Sequence, residues 1–160
     1  MPVLHFTTHI EGSDETIFAL IADLTGYDRW LPRSNAFGAV TKISQVPVGL
    51  GTTYVDKGPS GTMHGSVVDY RPPTHIAFQQ SMPVKLLLLT GMLDLHIRYT
   101  LEPGGQTTQV NRDVSFYLPG VLKLAEPIIV TTVRRESQRL LLLMKRYVET
   151  QAGVGDQLSG

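Results

Sequence analysis

Two charged residues in this chain of 160 residues stand where the surrounding pattern calls for apolar ones. In TQVNRDVSFYL, Val110, Val114, Phe116 and Leu118 alternate with Gln109, Asn111, Asp113 and Ser115, and Arg112 fills the slot between Val110 and Val114. A strand repeats every two residues, so the guanidinium is expected on the apolar side unless a bulge shifts the register. Glu136 follows Val133 by three residues and precedes Leu140 by four, which places it near the middle of a helical apolar stripe, with Ser137 toward its edge. Burying an ion costs on the order of several kcal/mol unless it is compensated. Three arrangements satisfy that constraint: partners across a wet or ligand-filled cavity, a structural ion pair, or an Arg112 that snorkels to the rim. Tyr99 shares the apolar face of the neighbouring strand and supplies either core packing or a hydroxyl.

The remaining chemistry is sparse. Of the five histidines, His5 and His9 share a strand face but stand about 13 Å apart at ~3.3 Å per residue, too far for two bonds of ~2.1 Å to one zinc ion. With no HExxH pair, the expectation is no metal site and no cofactor. His5, His9 and His96 fall opposite the apolar residues of their strands and are expected to face solvent. His64, in GTMHGSVVDY, lies in a strand of mixed faces and is carried as a candidate pocket residue against a structural alternative. VGLG lacks the Lys-Ser/Thr of a phosphate loop and precedes a strand, which makes it a turn. There is no Gly-x-Ser-x-Gly elbow and no cysteine, so no nucleophile is assigned and the catalytic residues are unknown.

The elements that must position these groups follow from periodicity. Leu4, Phe6, Thr8 and Ile10 alternate with polar residues over roughly 3 to 11, a strand with one buried face. Ser13 is a plausible cap for a short helix carrying Ile17, Leu20, Ile21 and Leu24, which Gly26 stops. From there to about residue 118, β-like runs alternate with turns at Pro47 to Gly51, Gly58 to Gly61, Pro72-Pro73 and Pro103 to Gly105, an antiparallel meander. Its last two strands form a hairpin across EPGGQ. After Pro119-Gly120 a long amphipathic helix runs to about Thr150 through Leu122, Ala125, Ile129, Val133, Leu140, Met144 and Tyr147, with a kink or fresh start at Pro127. The expected organisation is a single domain over 1–150 and a flexible tail over 151–160.

Composition bounds the partners. The hydrophobic share is 42% and the charged share 18%, as in a folded and rather apolar globule. Fourteen basic residues balance fourteen acidic ones, so the long-range field that draws proteins to phosphate backbones or anionic membranes is missing, and nucleic acid is excluded as the expected partner. The absence of cysteine and of a basic, apolar leader points to the cytoplasm, and no run approaches the ~18 apolar residues of a membrane span, so no stable membrane insertion is expected.

The order strand, helix, meander and long helix, together with DETIFALIADLTGYDRWLP, VGLGTTY, VVDYRPPTHIAF and RYTLEPGGQTTQV, resembles the START-like, helix-grip (SRPBCC) superfamily and, within it, the polyketide cyclase/dehydrase and lipid-transport family. The likeness covers nearly everything from Val3 to Glu149. It implies an α+β fold in which a curved antiparallel sheet wraps around the long C-terminal helix, leaving a hydrophobic cavity between them. Trp30 reads as an anchor closing the core, and the resemblance adds a place in the cavity wall. The apolar stripes place Leu93, Leu95, Ile97, Val114, Phe116, Ile129 and Val133 around that cavity, with Arg112, Glu136, Tyr99, His64 and Trp30 as its other candidate residues.

Two functions are compatible with this reading. One is a binding protein that encloses a hydrophobic small molecule such as a lipid, polyketide or aromatic metabolite. The other is an aromatase/cyclase or dehydratase, with Arg112 polarising a carbonyl and Glu136, Tyr99 or His64 moving a proton. The four leucines Leu86 to Leu89 cannot all face one side of a strand. Either a flanking loop or helix covers them, or they form an exposed patch, for which a homodimer is a better expectation than a membrane because net charge is zero.

Overall fold

The computed structural model describes residues 3–32, 39–58 and 61–159. Seven strands form one antiparallel sheet: β1 (Val3–Glu11), β2 (Ala39–Ile43), β3 (Thr53–Gly58), β4 (Gly61–Arg71), β5 (His75–Leu86), β6 (Leu89–Gly104) and β7 (Thr107–Tyr117). Their order across the sheet is β1-β7-β6-β5-β4-β3-β2, so β2 to β7 are a meander and β1 returns to its far edge. The turn at Gly105-Gln106 joins β6 to β7 and sets a register in which Tyr99 lies opposite Arg112. Burial alternates strictly along β7, with Val110, Arg112, Val114 and Phe116 all inward, as the period of two requires.

The first helix, α1 (Asp14–Ala22), begins where the Ser13 side chain accepts the Thr16 backbone N–H at 3.1 Å and buries Ile17, Phe18, Ile21 and Ala22. It gives way to a 3-10 turn over Leu24–Arg29, so the chain tightens around Gly26 before it stops. The long helix starts afresh at Pro127, as a ring without a backbone donor favours. A second 3-10 turn, Gly120–Ala125, precedes α2 (Glu126–Ser159). The helix α2 continues past Thr150 to Ser159, since extending an established helix fixes one residue per added bond whereas starting one fixes several.

The two halves of α2 meet the sheet differently. Leu141, Met144 and Val148 are buried in the core, and Lys145 and Glu149 clasp β1 by hydrogen bonds to the His9 carbonyl and the Glu11 N–H. Ile129, Val133, Ser137 and Leu140, nearer the start, instead line an open space. A curved sheet thus grips one end of the long helix and parts from the other. Among the described residues, no helix is long and apolar enough to cross a membrane.

Candidate functional site

Where sheet and helix part, a cavity of about 640 Å³ opens between the inner face of β3 to β7 and the first half of α2. Leu93, Leu95 and Ile97 of β6 and Val114 of β7 form one apolar wall, Ile129, Val133 and Leu140 of α2 the facing one, and Tyr27 and Leu31 flank it from the segment after α1. Met63, Phe78 and Met82 line the part of the sheet nearer β3.

An aromatic ladder crosses the cavity floor. Tyr54, Phe78 and Tyr99 meet edge to face, with ring centroids 6.1 and 6.3 Å apart, although β4 runs between the strands of the first two. Gly65 makes that possible: a Cβ there would come within 2.3 Å of Tyr54 Cζ, so the missing side chain is the space the ring occupies. Gln80 Nε2 donates to the Tyr54 hydroxyl at 2.6 Å and fixes its position.

The ladder ends at Arg112. The guanidinium carbon lies 5.2 Å from the centre of the Tyr99 ring, one η nitrogen donates to the Tyr99 hydroxyl, and Nε donates to Ser137 Oγ at 3.1 Å. All three residues are buried. Burial pushes the phenols of Tyr27, Tyr54 and Tyr99 above their ordinary range, Tyr99 despite the opposing influence of Arg112, so the three remain protonated hydroxyls. Such groups present hydrogen-bond protons and are poor bases.

Of the residues singled out in the sequence, Arg112, Tyr99, Glu136, Leu93, Leu95, Ile97, Val114, Ile129 and Val133 come together around this one space. Glu136 sits half-buried on the wall and its carboxylate accepts from Arg139 at 3.2 Å, while Arg139 also donates to the Pro32 carbonyl. Three candidates lie elsewhere. His64 is exposed on the outer face among Lys42, Ser44, Thr53 and Gln79, because Met63 and Gly65 take the inward slots of β4 and leave His64 the opposite parity. Trp30 is buried behind the wall, its ring 5.0 Å from that of Tyr27, so Tyr27 lines the space and Trp30 anchors Tyr27. Phe116 points inward but belongs to the packed core beyond the wall, since parity fixes the face of a strand and not whether a void stands opposite.

Several site residues escaped the sequence reading: Tyr54, Phe78, Gln80, Asp56, Tyr27 and Ser137 as a partner of Arg112. A glycine inside an otherwise regular strand, Gly65, was the available signal for a close ring approach. The leucine run resolves at a hairpin tip: Leu86 pairs with Leu89, while Leu87 and Leu88 form the turn and are 95% and 98% exposed. The flanking elements do not cover those two.

Solved structures with the same fold include a START superfamily protein from Mycobacterium smegmatis, 15% identical with a TM-score of 0.65 over 93% of this chain and 98% of that one. The Aha1 dimer from Colwellia psychrerythraea is 19% identical at a TM-score of 0.61, over 93% of this chain and 97% of its own. The di-domain ARO/CYC StfQ of the steffimycin biosynthetic pathway is 15% identical at a TM-score of 0.65, over 94% of this chain and 52% of that one. No curated protein matches the sequence. These likenesses show the helix-grip, START-like fold seen in the sheet and α2. A match over residues 1–149 covers every strand, α1 and most of α2, and places this chain in the polyketide cyclase / dehydrase and lipid transport family.

Proposed function

We propose that this protein encloses one hydrophobic small molecule, a lipid, polyketide or aromatic metabolite, between its sheet and the first half of α2. The observation that carries this reading is the cavity of about 640 Å³, lined mostly by apolar side chains with a few polar groups among them, the hydrogen-bonded set of Arg112, Tyr99 and Ser137 included, as sites that hold a ligand by shape and orient it by a few hydrogen bonds are built. The chain's lack of cysteine supports a cytoplasmic setting. One observation favours a second reading, an aromatase/cyclase or dehydratase: Arg112 beside a protonated Tyr99 is an arrangement able to stabilise a developing oxyanion.

Native mass spectrometry of protein purified from its own host tests both. A bound mixture of lipids supports carriage, and one defined polyketide or aromatic metabolite supports chemistry. A ligand-free protein whose uptake of an apolar dye is unaffected by Val133→Trp, which would fill the cavity, overturns binding at this site.

For a partner we infer a second copy of this chain at the β5–β6 tip. Leu87 adopts φ 55°, a left-handed conformation that costs a leucine about 1–2 kcal/mol, and with Leu88 it presents apolar surface to water. A contact that buries both side chains offsets those two penalties.

A further inference from the structure

Arg112 brings a positive charge into the cavity wall, and among the described residues no ion pair joins it to a carboxylate. The residue is 8% exposed, and its hydrogen bonds go to two neutral oxygens, the hydroxyls of Ser137 and Tyr99. Among the described residues the ion pairs are made elsewhere, that of Glu136 with Arg139 included. Asp56, the other carboxylate that reaches the cavity, belongs to β3, which β4, β5 and β6 separate from β7 in the sheet. The Tyr99 ring and two hydroxyl dipoles solvate the cation in part and leave its charge in place. Apolar residues occupy the neighbouring inward slots, Val110 and Val114, so an apolar residue at 112 would continue the pattern of the strand without that unbalanced charge.

The donors around Arg112 are aimed as an acceptor would need them. The Tyr99 oxygen accepts from Arg112, which leaves the phenolic proton free to donate. A guanidinium and a phenolic O–H thus converge on one part of a largely apolar space, whose other charged lining residues are Asp56, Lys85 and Glu136. A planar carboxylate matches the fork geometry of a guanidinium.

We propose that the molecule held here is an amphiphilic acid, an apolar body carrying one carboxylate, and that Arg112 is its counter-ion. The proposal rests on the cavity-binding reading above and narrows it to a charge class.

Parinaric acid, whose fluorescence rises in apolar surroundings, and its methyl ester share one apolar body and differ in charge. In titrations at about pH 8, where a carboxylic acid is ionised, the protein is expected to prefer the acid by at least about tenfold, the scale of one charge-assisted hydrogen bond. Arg112→Met is expected to bring that preference to about one, and Arg112→Lys, which keeps the charge without the fork, to retain part of it. Equal affinity of the unsubstituted protein for acid and ester, or a preference that survives Arg112→Met, overturns the proposal and leaves the cavity reading intact. Failure to bind either probe, or binding that Val133→Trp does not weaken, overturns the cavity reading and the proposal together. The comparison of acid with ester on the unsubstituted protein decides the question even where Arg112→Met does not fold.

Discussion

Nε of Arg112 donates to Ser137 Oγ at 3.1 Å, joining the middle of β7 to α2 at the place where helix and sheet move apart. That bond ties down a cation that no ion pair among the described residues balances. Arg112→Met is therefore expected to leave the ligand-free protein as stable as before or more stable by about 1–2 kcal/mol, because an apolar residue of similar length removes a buried cation. Ser137→Ala, which keeps the cation and takes away its acceptor, is expected to cost about 1–2 kcal/mol. Urea denaturation of the two variants checks the opposite signs. A large loss from Arg112→Met would mean that the cation is already compensated.

Gly65 carries the Tyr54 ring, and Gly65→Ala puts a methyl group 2.3 Å from Tyr54 Cζ. The ring must leave its edge contact with Phe78 and its bond to Gln80. The expected cost is about 1–3 kcal/mol, or roughly 2–4 °C in Tm for each kcal/mol at this chain length, with weakened uptake of a cavity probe. Thermal unfolding and probe titration on the same sample read both effects.

Leu87→Lys with Leu88→Lys alters the hairpin tip and no buried contact, so stability is expected to change by less than about 0.5 kcal/mol while light scattering reports a shift from dimer to monomer. Leu87→Gly is expected to stabilise by about 0.5–1 kcal/mol, since glycine accepts φ 55° without strain. Leu89→Lys is the contrast: Leu89 is half-buried against the core, and a charge there is expected to destabilise the fold.

Glu149 holds the end of α2 to β1. Its Oε2 accepts the Glu11 backbone N–H at 3.0 Å and Lys145 Nζ at 2.7 Å, and these bonds, the backbone one foremost, keep its carboxyl below the usual glutamate value. A folded-state pKa below the unfolded one contributes stability that is present above the unfolded value and is lost as pH falls through the folded one. Glu149→Gln is expected to cost about 0.5–1 kcal/mol at neutral pH. The difference from the unsubstituted protein is expected to shrink as pH falls below the ordinary glutamate range, which parallel urea titrations at neutral and acid pH would show.

Much of this architecture follows from local rules that the sequence carries in full. The alternation of β6 and β7 placed Leu95, Ile97, Tyr99, Arg112 and Val114 on one face, and the short Gly105-Gln106 turn then leaves only one register, the one that pairs Tyr99 with Arg112. Helical spacing likewise put Ile129, Val133 and Glu136 on the stripe of α2 that faces the sheet. Pro127 marked the start of that helix because its ring removes a donor the first turn does not use.

The sequence could not say where the packed core ends and the cavity begins, because that boundary depends on how far a curved sheet departs from the long helix. Phe116 and Val114 share a face and a strand, yet only Val114 meets the void. His64 needed the register of β4, where mixed polar and apolar residues left its face undecided until Tyr54 and Gly65 were seen to interlock. The choice of Ser137 as the partner of Arg112, with Glu136 turned to Arg139, rests on the rotation of α2 about its own axis. A step of one residue turns the helix by about 100°, which is enough to exchange a carboxylate for a hydroxyl opposite the guanidinium. Sequence period fixes the stripe to within that step, and only the docking of α2 against β1 and β7 fixes which side chain arrives.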